Sequence, residues 1–284
     1  MILEHEIPKG SKLHFGLSAR LKRDVENLCA SLFYESDFSE ITTPIFVFQQ
    51  HQKSFLNRDV ISLSSENNYQ VSMRNDSTID VIRIITKRLG RSTNQKKWFY
   101  IQPVFSYPTF EYNQIGAECL DEKEMPKMID LAIAIFEKLD IKPILQITNT
   151  KIAKKCALES GLDYEYFTRL NVEKLQSIDF IARLLLVNNL KDLESAKRTM
   201  PHFLKEDIES LIHFCACGYE NTLCSPLLCA PVDYYDDLFF KMFLDNSTFL
   251  AGGKYCVDNT QSCGFGIYTD SVVYRLLKQN KLKG

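Results

Sequence analysis

A chain of 284 residues with 45% hydrophobic and 25% charged side chains can bury a sizeable core, and 34 basic against 36 acidic residues leave a net charge of -2. That balance excludes a strong general field drawing the protein to nucleic acid, and no apolar run reaches the ~18 residues of a membrane span. Met1 to Glu6 lacks the basic and apolar regions of a signal peptide, so the expected compartment is cytoplasmic.

In chain order, Leu17, Leu21, Val25, Leu28, Leu32 and Phe33 recur at helical spacing, with Arg20, Lys22, Arg23 and Glu26 on the polar face. The helix is expected to end near Ser36-Asp37, and Phe38 to Pro44 reads as a strand closed by proline. Phe46 to Asn68 is polar and without repeats. Ile79, Val81, Ile82, Ile85 and Leu89 predict a helix after Thr78 that ends at Gly90, followed by a basic loop with a solvated surface.

Trp98 to Tyr107 and Tyr112 to Glu118 read as two antiparallel strands joined by a five-residue connection with Pro108 at its start. Gln114, Gly116 and Glu118 share a parity, so Gly116 leaves a gap between two polar groups, the outline of a pocket floor. The same pattern also suits polar residues on an exposed sheet face. A helix carrying Ile129 to Leu139, a strand from Ile141 to Ile147 and a helical, charge-mixed stretch from Lys151 to Gly218 follow.

The nine cysteines fit reduced thiols better than a disulfide framework. His213, Cys215, Cys217, Cys224 and Cys229 lack the paired Cys-x-x-Cys spacing of structural zinc sites. Cys215 and Cys217 lie in a predicted helix ending at Gly218, and the cysteines are expected to be buried as small apolar residues, with no metal site and no cofactor.

Arg74-x-Asp76-x-Thr78, Phe105-x-Tyr107 and Asn113-Gln114-Ile115-Gly116-x-Glu118 resemble, in order, three segments of the class II histidyl-tRNA synthetase core. In that family they are Arg-Pro-Glu-Gly-Thr, Phe-Arg-x-Glu and Phe-His-Gln-x-Gly-x-Glu. Asp233-Tyr234-Tyr235 resembles the family's Leu-Asp-Tyr-Tyr, Gly252-Gly253-Lys254-Tyr255 its Gly-Gly-Arg-Tyr strand turn, and Gly264 to Tyr268 with the helix from Asp270 to Leu277 its third class signature. The resemblance implies an α+β fold: a class II synthetase-like antiparallel sheet flanked by helices, with a helical insertion. Residues 1–120 and 230–284 would form the core and 121–229 a core connection plus the insertion, with no C-terminal anticodon-binding domain in the 284 residues. The helix–strand–Pro44 unit would supply a homodimer interface, as the first class signature does.

The resemblance further implies that Asp76, Thr78, Gln114 and Glu118 hold an ammonium group and an imidazole, walled by Tyr234 and Tyr235. Ser106 and Pro108 stand where the second signature has arginine and glutamate, Ser271 where the third has arginine, and Ala230 where the histidine motif has arginine. Adenylation spreads charge on phosphoryl oxygens that cations must stabilise, and losing one such contact commonly costs about 100-fold, so no catalytic residues are expected. A synthetase-like core without these arginines resembles the regulatory subunit of ATP phosphoribosyltransferase, which acts in the first step of histidine biosynthesis. Its partners would be the short-form catalytic subunit and histidine, in a homodimer or higher hetero-oligomer. Two other readings keep the fold: an amino-acid-activating ligase with a rearranged site, and an orphan paralogue binding another small ligand.

Overall fold

The computed structural model describes residues 7–48, 59–64, 70–90, 92–232 and 234–283. The described residues form two compact units, one from Met1–Leu120 with Gly266–Gly284 and one from Asp121–Phe265.

The first unit opens with α1 (Gly16–Glu35), whose N-terminus is closed by Ser18: its hydroxyl accepts the Phe15 N–H at 2.9 Å and donates to the Phe15 carbonyl at 2.8 Å. Val25, Cys29 and Phe33, four residues apart, are its buried stripe. Glu26 leaves the polar face on which periodicity places it and is buried, with Lys22 at 2.5 Å and Arg23 at 3.1 Å supplying the charge it needs there.

The expected strand from Phe38 to Pro44 reduces to β1 (Ser39–Glu40), parallel to the later β5 (Lys97–Ser106). The ladder stops early because, after Ile41 N–H reaches the Phe99 carbonyl, Thr43 N–H turns to the Gln102 side chain instead of a strand. Within the polar stretch lie β2 (Phe46–Phe48) and β3 (Ser62–Ser64), which flank β4 (Gln70–Met73) in a small antiparallel sheet that no periodicity announces. Residues 49–58 and 65–68 of that stretch lie outside the described residues.

Helix α2 (Ser77–Ile84) begins two residues earlier than its apolar pattern and passes into a π-helical turn at Ile85–Leu89. Its inner face, Val81 and Ile85, packs with Ile41, Trp98 and Tyr100. Strand β5 pairs antiparallel with β6 (Phe110–Cys119) from Ser106↔Phe110 to Lys97↔Cys119. The hairpin is as expected in direction, but its connection is three residues, Tyr107 to Thr109, because pairing continues to Ser106↔Phe110.

The second unit runs through α3 (Met125–Lys138) to β7 (Ile144–Asn149), which starts after Pro143 and not at Ile141, since proline cannot donate to a ladder. Six helices follow: α4 (Thr150–Ser160), α5 (Glu165–Thr168), α6 (Val172–Gln176), α7 (Asp179–Leu185), α8 (Leu190–Lys197) and α9 (Lys205–Cys215). The last ends at Cys215, before the expected Gly218, which has φ +78° in the turn beyond. Strand β8 (Thr222–Cys224) pairs parallel with β7, and β9 (Tyr235–Leu244) pairs antiparallel with β7 and with β10 (Ser247–Val257). Strand β11 (Thr260–Tyr268) lies beside β10 and leads into α10 (Thr269–Lys283), which packs on α1 in the first unit.

Gly252 and Gly253, expected in a strand turn, sit inside β10. They are small because neighbours crowd them, not because the backbone bends: a Cβ would lie 2.4 Å from the Gly264 carbonyl oxygen at one and 2.3 Å from the Leu238 carbonyl oxygen at the other.

Candidate functional site

In the first unit, the register pairs Trp98 with Glu118, Tyr100 with Gly116 and Gln102 with Gln114. Alternation sends these six positions to one face, the face on which α2 packs Val81 and Ile85 against Trp98 and Tyr100. Glu118 is fully buried at 0% exposure, and the Thr78 hydroxyl donates to its Oε1 at 2.7 Å. The Tyr100 hydroxyl stands 3.5 Å from Thr78 Oγ1. Gln114 is half-buried on the same strand.

The gap expected at Gly116 is filled. A Cβ there would lie 2.2 to 2.5 Å from the end of the Tyr100 ring, so the glycine exists to let Tyr100 lie across the strand between Gln114 and Glu118. Asp76 caps α2: its extended backbone places Oδ1 3.0 Å from the Ile79 N–H.

Around this floor runs a buried polar frame. Arg74, 1% exposed, donates through Nε and Nη2 to the Pro103 carbonyl at 3.0 and 2.7 Å. Its Nη1 reaches the Thr43 carbonyl at 2.8 Å, Thr43 Oγ1 at 3.0 Å and the Pro44 carbonyl at 3.3 Å. Burial draws its guanidinium below the usual range, and the nearby Asp80 and then Tyr100 act the other way. Arg74 is therefore an internal tie between the segment after β1 and β5. Tyr100 and Gln102, which complete the site, escape a reading based on β6 alone; the signal available for Gln102 is one amide inside the apolar run Trp98 to Phe105.

The serine positions are held by the scaffold. Ser106 is buried, with its hydroxyl donating to the Asp59 carbonyl at 3.1 Å. Ser271 lines a cavity of about 320 Å³ with Lys12, Tyr112, Asn113, Tyr268 and Asp270. Asp270 there accepts from the Asn113 backbone at 3.1 Å and side chain at 3.0 Å, and pairs with His14 at 3.0 Å.

In the second unit Tyr234 and Tyr235 lie 4.7 Å apart between ring centroids, Tyr235 buried against Phe239 and Tyr255. Asp233 of that motif lies outside the described residues. Lys254 sits 3.5 Å from Asp237 and 4.0 Å from Glu122, with its ammonium 5.4 Å from the Phe214 ring centre. Cys215 and Cys224 are buried; a hydrogen bond between their side chains holds the Cys215 thiol well up and the Cys224 thiol down. Among the described residues, no group of three or more His, Cys, Asp or Glu is placed to hold a metal ion.

The family model for histidyl-tRNA synthetase matches residues 17–272. Over 280 residues the chain is 52% identical to the ATP phosphoribosyltransferase regulatory subunit of Helicobacter hepaticus, covering 98% of this chain and 100% of that one. It is 49% identical to the protein of the same name from Wolinella succinogenes, covering 99% of each. Histidine–tRNA ligase of Dictyoglomus thermophilum is 25% identical over 91% of this chain and 72% of its own. In fold, the chain is similar to an ATP phosphoribosyltransferase regulatory subunit/histidyl-tRNA synthetase from Bacillus halodurans, with a TM-score of 0.84 at 16% identity over 96% of this chain and 83% of that one.

Proposed function

Because this chain belongs to the family of ATP phosphoribosyltransferase regulatory subunits, on the histidyl-tRNA synthetase fold, we propose that it binds histidine at Glu118 and performs no amino-acid activation itself. The observation that carries the ligand reading is the fully buried Glu118 carboxylate, joined to Thr78 on a face that also carries Gln114. A buried carboxylate favours a cationic ligand, because an ammonium or imidazolium can pair with it away from water. Thr78 orients Glu118, and Gln114 and the rim at Asp76 contribute amide and carboxylate contacts.

Calorimetry with millimolar histidine is expected to give saturable heat with the wild type and none with Glu118→Ala. Absence of heat and of any thermal shift with the wild type would sink the ligand assignment.

The non-catalytic reading rests on Ser106, Ser271 and Ala230 in the places where the synthetases carry arginine. Ser106, whose hydroxyl donates to the Asp59 carbonyl, puts a neutral side chain at the point of the hairpin where the synthetases place a cation to receive phosphoryl charge. Histidine-dependent exchange of pyrophosphate into ATP is expected to stay at the blank level, and Ser106→Arg alone is expected not to restore it. Exchange above the blank would favour an activating ligase.

The assembly is a homodimer through the Leu17 to Pro44 unit. Its support is the apolar surface this unit and its approach leave in water: Leu13, Phe15, Leu17 and Tyr34 are each more than half exposed. Light scattering at micromolar concentration is expected to give twice the chain mass, and a monomeric mass would reject the dimer.

A further inference from the structure

Gln102 is buried in β5, and its side-chain amide bonds to two segments distant in sequence, at Thr43 and at Ser77. The Thr43 backbone N–H lies 3.1 Å from Oε1, and because a backbone N–H can only donate, the oxygen end of the amide must face it. The nitrogen end then points the other way, donating to Thr43 Oγ1 at 3.0 Å and to Ser77 Oγ at 2.9 Å. One planar amide thus clamps the segment after β1 to the first residue of α2.

What lies just beyond each end gives the clamp its meaning. One residue past Ser77 is Thr78, whose hydroxyl holds Glu118. Two residues past Thr43 begins an apolar run in water, with Ile45, Phe46 and Phe48 exposed by 45%, 59% and 52%. Arg74 fastens the Thr43 end further through the Thr43 and Pro44 carbonyls, and its own backbone N–H bonds the Ile45 carbonyl at 2.8 Å. Separating Ser77 from Thr43 would strand a buried amide donor, so the two segments move together or the bond between them breaks.

We infer that Gln102 is a positioning residue that couples the Thr78–Glu118 site to the Ile45 to Phe48 segment, so that a change at the carboxylate is transmitted to that apolar surface. The coupling requires two arrangements of the amide, bridging both segments as observed or only one of them, which each end would bias. As a device for histidine it rests on the proposed ligand; as a mechanical link it does not.

The test reads amide hydrogen exchange at residues 45–48 of the full chain, with the amides of Leu145 and Ile147 as an internal reference for global opening. Thr78→Val, which removes the hydroxyl from Glu118, is expected to change exchange at 45–48 by about fivefold or more relative to that reference. In a Gln102→Met background the same substitution is expected to leave 45–48 unchanged. If Gln102→Met does not fold, Ser77→Ala cuts the same bond from its other end and serves as the background. An unchanged 45–48 segment in Thr78→Val, or a change that persists once the amide bond is cut, overturns the inference. Histidine added in place of Thr78→Val gives a second arm: silence in that arm alone counts against histidine as the ligand and leaves the link standing.

Discussion

Replacing Arg74 by methionine is expected to lower the free energy of unfolding by about 4 kcal/mol. The guanidinium is 1% exposed and donates to the Pro103, Thr43 and Pro44 carbonyls and to Thr43 Oγ1. Hydrogen bonds from a charged donor contribute about 1.5–3 kcal/mol each, but their sum overshoots because burying the charge opposes them. Methionine retains most of the apolar stem, so the loss measures the polar head. It also leaves the Pro103 carbonyl, which takes two of the bonds, without its donor. Arg74→Lys is expected to recover less than half, since one ammonium cannot reach Pro103 and Thr43 together as the planar fork does. Urea unfolding with an unchanged slope is the measurement, and a loss under about 1 kcal/mol would show that this tie contributes little.

Much of the architecture was legible where one periodicity ran long enough to stand alone. The recurrence of Leu17, Leu21, Val25, Leu28, Leu32 and Phe33 gave away α1, and two apolar runs around Pro108 gave away the β5–β6 hairpin, because helix and strand there follow from helical spacing and from spacing of two. Errors came where a partner distant in sequence decides the outcome. Glu26 reads as solvated on a helical wheel, yet Lys22 and Arg23 close over it. Gly116 reads as a gap until Tyr100, sixteen residues earlier, is seen to occupy it. Gly252 and Gly253 read as a turn because crowding by the Gly264 and Leu238 carbonyls has no local signature.

The site shows the same division. Thr78, Gln114 and Glu118 were accessible through their resemblance to a motif, and the structure joins Thr78 to Glu118. Gln102 was not, since a lone amide in an apolar strand differs from a solvated edge residue only by what its two ends touch. The π-helical turn at Ile85–Leu89 left no mark in the sequence either, for its apolar spacing is that of an ordinary helix.

Co-expression with the short-form ATP phosphoribosyltransferase catalytic subunit of the same organism is expected to yield a stable complex, and the turnover of that subunit is expected to depend on this chain. On the proposed non-catalytic reading, in which Ser106, Ser271 and Ala230 stand in the places of the synthetase arginines, the chemistry falls to another polypeptide. Histidine can act through this chain only if it binds one state of the complex more tightly than another, since equal affinity for both shifts nothing. A coupling of about 1–3 kcal/mol corresponds to roughly a 5- to 150-fold change in apparent affinity, and by reciprocity complex formation must change histidine affinity by the same factor. The decisive experiment titrates histidine into the free chain and into the complex, and follows turnover with wild type and Glu118→Ala. Equal histidine affinity in both, or a catalytic subunit that is fully active and fully histidine-sensitive alone, would refute regulation through this site. A turnover that needs this chain but ignores Glu118→Ala would place the histidine response on the catalytic subunit, with this chain acting through assembly.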